Sequence, residues 1–105
     1  MSKITAAITA VGGYVPDYVL SNKELETMVD TNDEWITART GIKERRILKD
    51  KDKGTSFLAI KAAKDLLKKN NTDPKDIDMV IMATATPDMP VAVTGAYVAT
   101  QIGAD

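Results

Sequence analysis

The feature that most constrains the fold of this chain is an apolar run in its second half. Residues Ile77 to Ala83 are mostly apolar, and no polar side chain interrupts Met79 to Ala83. A run of this kind is typical of a β-strand that is covered on both faces, as in a parallel sheet. Because parallel strands are joined by crossover helices, the run predicts an α/β fold.

Two other segments have the character of strands. Ile4 to Val11 is a short run of Ile, Val, Ala and Thr that Gly12 and Gly13 bring to an end, which predicts a strand followed by a turn. Ile42 to Leu48 mixes apolar with basic residues and is predicted to be extended. These segments are far apart in sequence, so helices are expected to connect them.

Two short helices are predicted from capping signals. Ser21 to Glu24 has the spacing of a capping box, in which the Ser hydroxyl caps a backbone N–H and the Glu reaches back, and the helix is predicted to run to about Met28. Thr31 to Glu34 repeats the spacing. The second helix is predicted to continue through Arg39 and to stop at Gly41, a residue that favours helix C-termini.

Two longer helices follow. The first is predicted to begin with Thr55 or Ser56 as its cap and to end at Asn70. Its buried face is formed by small and apolar residues at helical spacing, namely Ala59, Ala62, Ala63, Leu66 and Leu67. The second is predicted to hold Pro90 in its first turn, to carry small residues that pack closely, and to end at Gly103.

The composition narrows the possible chemistry. The 105 residues include no Cys and no His. The chain therefore has no disulfide, no thiolate that could act as a nucleophile or bind a metal, and no imidazole that could act as a base. A formal net charge of −1 gives no general attraction to nucleic acid or to an anionic membrane. No apolar run approaches the ~20 residues of a membrane-spanning helix, and the N-terminus lacks the apolar stretch of a signal peptide. We expect a soluble, cytoplasmic protein.

Trp35 and Arg39 form the strongest candidate for a binding site. They are four residues apart and therefore share one face of the predicted helix. An indole beside a guanidinium can bind a flat ring by stacking and a phosphate by paired hydrogen bonds. The alternative is that the two side chains simply pack on each other as a cation–π pair. The spacing alone leaves both interpretations open.

Several motifs, each weak alone, occur in a fixed order along nearly the whole chain. They are Ile4 to Pro16, Ser21 to Leu25, Met28 to Thr31, Asp33 to Ile36, Arg39 to Ile42, Glu44 with Arg45, Ala83 with Thr84, and Thr86 to Met89. Together they resemble the N-terminal part of β-ketoacyl–acyl-carrier-protein synthase III, a family of thiolase-like condensing enzymes.

The resemblance implies both a fold and a reaction. Residues 1–105 are expected to form the first, incomplete part of a thiolase-like domain, an α/β fold of αβαβα layers. The parent enzyme is implied to be an acyltransferase and a homodimer that condenses an acyl-CoA primer with malonyl-acyl carrier protein, releases CO2 and starts fatty-acid biosynthesis. It would use acyl-CoA as a substrate and need no tightly bound cofactor or metal. The family's Cys, His and Asn fall beyond residue 105, so no catalytic residue is assigned and this chain alone is expected to be inactive.

The resemblance also gives roles to individual residues. Trp35 matches a tryptophan that stacks on the CoA adenine, and Arg39 matches an arginine near the CoA phosphates. Thr31 matches a threonine that hydrogen-bonds around the adenine, with helix capping as an equally supported role. Three further cations follow in the sequence, namely Lys43, Arg45 and Arg46. They could add positive potential for CoA or for the acidic carrier protein, but we assign them to the solvated surface.

The segment between Met89 and Thr94 departs from the family pattern. Relatives usually carry bulky aromatic residues there, including a Phe that closes the acyl pocket of the dimer partner. This chain has Val91 at that position. The smaller side chain predicts a roomier pocket that accepts longer or branched primers; the alternative is that Val91 only packs in the interface.

Three interpretations of the chain remain at this point. It is the N-terminal piece of the synthase, or a self-contained module that binds CoA or another adenine nucleotide, or a structural piece that pairs with a missing half. The first explains the resemblance along the whole chain and the lack of a nucleophile. A piece of this kind would leave sheet edges open and is expected to be marginally stable alone or to associate.

Overall fold

The structure is a computed structural model that describes residues 2–104. It divides into two compact units, which are described separately. Residues Val15–Asp52 form the first, here called the Trp35 unit. The chain up to Tyr14 and from Lys53 onward forms the second, here called the helical unit.

The Trp35 unit contains two short strands and two helices. Strand β1 spans Tyr18–Ser21 and is followed at once by helix α1, Asn22–Leu25. Helix α2 spans Asp33–Thr40, and strand β2 spans Glu44–Ile47. The strands pair antiparallel, with Tyr18 opposite Ile47 and Ser21 opposite Glu44. The predicted extended segment at 42–48 is thereby confirmed, whereas β1 was not predicted.

Helix α1 begins as predicted but ends early. The Ser21 hydroxyl accepts a hydrogen bond from the Glu24 N–H at 3.1 Å, which confirms Ser21 as the cap. The Glu24 carboxylate does not complete the predicted box, because it accepts a hydrogen bond from the Tyr18 hydroxyl. The helix ends at Leu25, and hydrogen-bonded turns such as Met28 N–H to Leu25 C=O (3.0 Å) carry the chain onward.

Helix α2 is capped by a different residue from the one predicted. Asn32, not Thr31, is the N-cap, and its side-chain oxygen accepts from the Trp35 N–H at 2.8 Å. The capping role suggested for Thr31 is therefore wrong, since an Asn one residue later supplies the acceptor. At the other end Gly41 adopts φ 72°, a left-handed conformation that glycine tolerates, as predicted.

The helical unit consists of two helices and connecting chain. Helix α3 spans Thr55–Lys69, a 3-10 turn spans Pro74–Asp76, and helix α4 spans Thr94–Ile102. The predicted apolar face of α3 is confirmed, because its members are buried or half-buried while the lysines of the opposite face are exposed. No helix among residues 2–104 is long and apolar enough to cross a membrane.

The start of α3 differs from the prediction. Neither Thr55 nor Ser56 is the cap; Gly54 holds that position and has no side chain to supply a bond. The carboxylate of Asp88 takes the role from a distant part of the chain and accepts from the Ser56 N–H at 2.9 Å. A Cβ on Gly54 would lie 2.7 Å from that Asp88 oxygen, so a larger residue there would have to displace the carboxylate from its capping position.

Helix α4 starts four residues later than expected. Pro90 precedes the helix instead of occupying its first turn, because Val93 is the N-cap. Gly95 lies close to the chain before the helix, since a Cβ at this position would be 3.5 Å from the Val80 carbonyl oxygen. Gly103 ends the helix with φ 87°, as predicted.

Two of the three predicted strands are not formed. The segments 4–11 and 77–83 have no strand assignment, and the single sheet among residues 2–104 is the two-stranded one of the Trp35 unit. Ile4 is fully exposed, and Met79 and Ile81 are 75% and 83% exposed. A strand requires a hydrogen-bonded neighbour, and neither segment has one in the described residues. The prediction of strands there is wrong for this chain by itself.

Candidate functional site

Helix α2 brings Trp35 and Arg39 together as predicted. The guanidinium carbon of Arg39 lies 5.3 Å from the centroid of the Trp35 ring, within the range of a cation–π contact. Trp35 nevertheless remains 55% exposed, which is high for the chain's single tryptophan. The pair therefore forms a cation–π contact and still leaves much of the indole accessible to a ligand.

A small pocket lies against the indole. It is lined by Asp30, Thr31, Asn32 and Trp35 and has a volume of about 210 Å³. Thr31 is half-buried at its edge, and its side chain is not engaged in capping α2. The pocket thus offers a flat aromatic wall, a hydroxyl, an amide and a carboxylate within the turn that leads into the helix.

A buried polar residue outside the pocket holds α2 in place. Asn22 is 1% exposed, and its amide nitrogen donates to the Asp33 carboxylate and to the Ile42 carbonyl, both at 2.8 Å. Arg45 completes the set by donating to the Asn22 side-chain oxygen at 2.8 Å. In the sequence, Asn22 is only the second residue of a predicted capping motif. Its burial was not visible there, because the residues that enclose it are distant in sequence.

Arg45 is not the solvated cation that was predicted. Its guanidinium is partly buried and donates both to Asn22 and to the Leu20 carbonyl, the latter at 3.3 Å. Lys43 and Arg46 are exposed, in agreement with their assignment to the surface. Arg46 donates to the Pro16 carbonyl at 3.1 Å.

The electrostatics of the site centre on Asp33. The Asn22 amide beside Asp33 holds the pKa of that carboxyl below its usual value, and the Thr37 hydroxyl acts in the same direction. Burial opposes the shift without cancelling it. Asp33 is therefore ionised at neutral pH and serves as a fixed acceptor at the start of α2.

Val91 lies in the helical unit. Its side chain is 95% exposed. A neighbouring apolar cavity of about 150 Å³ is lined by Asp88, Met89, Ala92, Val93, Thr94 and Tyr97. Residues 2–104 contain no group of three side chains suited to hold a metal ion.

The sequence of this chain is similar to those of several proteins that share one name. No protein-family model matches the chain. A Porphyromonas gingivalis protein named beta-ketoacyl-acyl-carrier-protein synthase III is 58% identical over 103 residues, which are 98% of this chain and 31% of that protein. A Phocaeicola vulgatus protein of the same name is 56% identical with the same coverage. Over nearly its whole length the chain is therefore similar to the N-terminal part of proteins named β-ketoacyl-acyl-carrier-protein synthase III.

Solved structures agree with this family. The 3-oxoacyl-acyl-carrier-protein synthase III of Aquifex aeolicus superposes with a TM-score of 0.84 at 45% identity, covering 91% of this chain and 30% of that one. The priming β-ketosynthase of the R1128 polyketide pathway gives the same TM-score at 35% identity, and the match covers 91% of this chain and 28% of that one. The predicted fold class, the first part of an α/β thiolase-like fold, is confirmed. The chain spans about a third of the length of the curated relatives that it matches.

Proposed function

We propose that the full-length protein containing this segment is an acyltransferase that condenses an acyl-CoA primer with malonyl-acyl carrier protein and so initiates fatty-acid biosynthesis. The observation that carries the proposal is the 58% identity to a synthase III over 98% of the chain. The family's catalytic Cys and His have no counterpart here, because the chain contains neither residue type. The segment alone is therefore proposed to be inactive.

Within that enzyme, the Trp35 unit is proposed to bind one end of the acyl-CoA. The adenine stacks on the exposed indole of Trp35 and occupies the adjoining pocket, where the Thr31 hydroxyl is available for a hydrogen bond. Arg39, already beside the indole, interacts with the CoA phosphates. To accept an adenine on the face that the guanidinium covers, Arg39 has to move aside, which its exposed position permits.

Val91 is proposed to contribute to the acyl pocket of the second subunit of a homodimer. Its 95% exposure is consistent with a side chain that becomes covered only on assembly. Because Val is smaller than Phe, the pocket would accept branched or longer primers. Initial rates of the full-length enzyme with acetyl-CoA and with branched acyl-CoA test this point, and strict preference for acetyl-CoA would contradict it.

The remaining features are proposed on the same basis. The enzyme acts in the cytoplasm, exchanges acyl groups with an acyl carrier protein, uses acyl-CoA as a substrate, and requires no tightly bound cofactor or metal. Binding to nucleic acid or to a membrane surface is not part of the proposal, since a net charge of −1 on this segment provides no general attraction to either.

The proposal is tested with the full-length protein and with this 105-residue chain, assayed in parallel. Labelled acyl-CoA and malonyl-acyl carrier protein are supplied, and labelled β-ketoacyl-acyl carrier protein is measured. We expect product only with the full-length protein. Absence of product from a folded full-length protein that is given several primers would contradict the reaction, and product from the segment alone would contradict the inactivity of the segment.

A further inference from the structure

Asn22 stands out because it combines nearly complete burial with a polar side chain. It is 1% exposed and is the single large side chain below 2% exposure in the part of the chain that the structure describes. Burying an amide without partners is costly, so a residue of this kind persists where its hydrogen bonds are satisfied. Its partners therefore indicate what it does.

The partners of Asn22 come from two segments that are distant from it in sequence, the start of α2 and residues 42–45. Its backbone N–H donates to the Lys43 carbonyl at 3.0 Å, just before β2. Its side-chain nitrogen donates to Ile42 and to Asp33, the first residue of α2, and its side-chain oxygen accepts from Arg45 in β2. One amide thus connects the start of α1, the start of α2 and the chain that enters β2.

The start of α2 is held at further points. The Asp33 N–H donates to the Glu26 carboxylate at 2.8 Å, and the Thr37 hydroxyl donates to the Asp33 carboxylate at 3.2 Å. Asp33 is therefore fixed through both its backbone and its side chain. Trp35 lies two residues further along the same helix and Arg39 six residues further, so their direction follows the orientation of this first turn.

We propose that Asn22, held by Arg45, is a positioning residue for acyl-CoA binding, which sets the orientation of α2 and thereby of the Trp35 ring. The inference rests on the proposed role of Trp35 in binding the adenine. An asparagine suits the position because it donates to Asp33 and Ile42 while accepting from Arg45. An aspartate of the same size would accept from Arg45 but would place a carboxylate 2.8 Å from two acceptors.

The test uses the full-length enzyme and two primers, an acyl-CoA and the same acyl group on pantetheine, which lacks the adenine and its phosphates. For Asn22→Asp we expect the KM for acyl-CoA to rise on the order of tenfold with kcat little changed, because only binding remote from the reacting atoms is lost. Kinetic constants with acyl-pantetheine are expected to stay within about twofold of the parent enzyme. A merely structural defect would affect both primers equally.

A second pair of variants guards against failure of Asn22→Asp to fold. Arg45→Lys keeps the charge but loses the guanidinium geometry that reaches both Asn22 and Leu20, and we expect about a threefold rise in KM for acyl-CoA alone. Arg46→Lys is the matched control, since Arg46 is exposed and lies beside Arg45 in the same strand. It is expected to match the parent enzyme with both primers.

Trp35→Ala, measured alongside, separates the two proposals. Loss of acyl-CoA binding in Trp35→Ala without loss in either Asn22→Asp or Arg45→Lys would overturn the positioning role and leave the adenine platform intact. Equal effects of Trp35→Ala on both primers would overturn the platform itself. Equal effects of Asn22→Asp and Arg45→Lys on both primers would reduce Asn22 to a general structural role.

Discussion

The two units of this chain satisfy their backbone in different ways. In the Trp35 unit, β1 pairs with β2. Asn22, which follows β1 directly, is buried, and both polar atoms of its side chain form hydrogen bonds. In the helical unit, the apolar segments 4–11 and 77–83 form no strand and are mostly exposed, although Ile77, Val80 and Met82 are half-buried. The difference shows that hydrophobic character and burial need not coincide in a segment that has no strand partner among residues 2–104.

The first prediction concerns the buried amide. Asn22→Ala is expected to lower the free energy of unfolding of the Trp35 unit by about 3 kcal/mol, because it leaves the Arg45 guanidinium and the Asp33 carboxylate without a shared partner. Denaturant unfolding followed by Trp35 fluorescence measures this effect. Ile81→Ala is the comparison, since Ile81 is 83% exposed and its loss is expected to cost less than about 0.5 kcal/mol. Equal costs would remove the contrast between the units.

The second prediction concerns close packing in the helical unit. A Cβ on Gly12 would lie 2.6 Å from both the backbone N and the Cβ of Leu66 in α3, whereas a Cβ on Gly13 would meet nothing within 4 Å. Gly12→Ala is therefore expected to destabilise the unit by about 2 kcal/mol, with little effect from Gly13→Ala. Thermal unfolding followed by helical circular dichroism distinguishes them. Similar transitions for the two variants would show that the contact is dispensable.

The third prediction separates the cap of α2 from its neighbour. Asn32→Ala is expected to cost about 1 kcal/mol, because the Trp35 N–H loses its acceptor. Thr31→Ala is expected to leave stability unchanged, since Thr31 does not cap the helix. The stability of both variants is read from Trp35 fluorescence during denaturant unfolding. A larger loss for Thr31→Ala than for Asn32→Ala would contradict the observed cap.

The smallest effect is expected from acid. The pKa of Asp33 is lowered by its Asn22 hydrogen bond, and that of Asp88 by its bonds to Ser56. Both stabilising effects are fully present above the ordinary Asp pKa of about 3.9 and are lost as the pH falls through the lower folded values. Unfolding measured between pH 5 and pH 2 should show reduced acid sensitivity in Asp33→Asn. An unchanged acid profile would contradict the role of Asp33.

Local signals predicted much of the helical structure. Ser21 as a cap, Gly41 and Gly103 as helix ends, and the buried face of α3 all depend on residues close in sequence. Contacts made at a distance were not predictable in this way. Asp88 caps α3 from 32 residues away, and Arg45 reaches Asn22 across 23 residues.

In the candidate site, too, only contacts between residues close in sequence were predicted. The meeting of Trp35 and Arg39 was predicted because four residues on a helix return to the same face. The Asn22 network that orients the helix was missed, because its hydrogen bonds join α1, α2 and β2. The strands expected at 4–11 and 77–83 failed for a related reason, since a strand depends on a neighbour that no local pattern supplies.

The most direct test of the account is a titration of this 105-residue chain with CoA, followed by the fluorescence of its single tryptophan. A pocket of about 210 Å³ with four lining residues is smaller than usual for a ligand of drug size, so under the proposed function a CoA site would need further residues of the full-length protein. We expect a change in Trp35 fluorescence that does not saturate below about 1 mM CoA. Saturable binding in the micromolar range would contradict it and would make the chain a self-contained CoA-binding module.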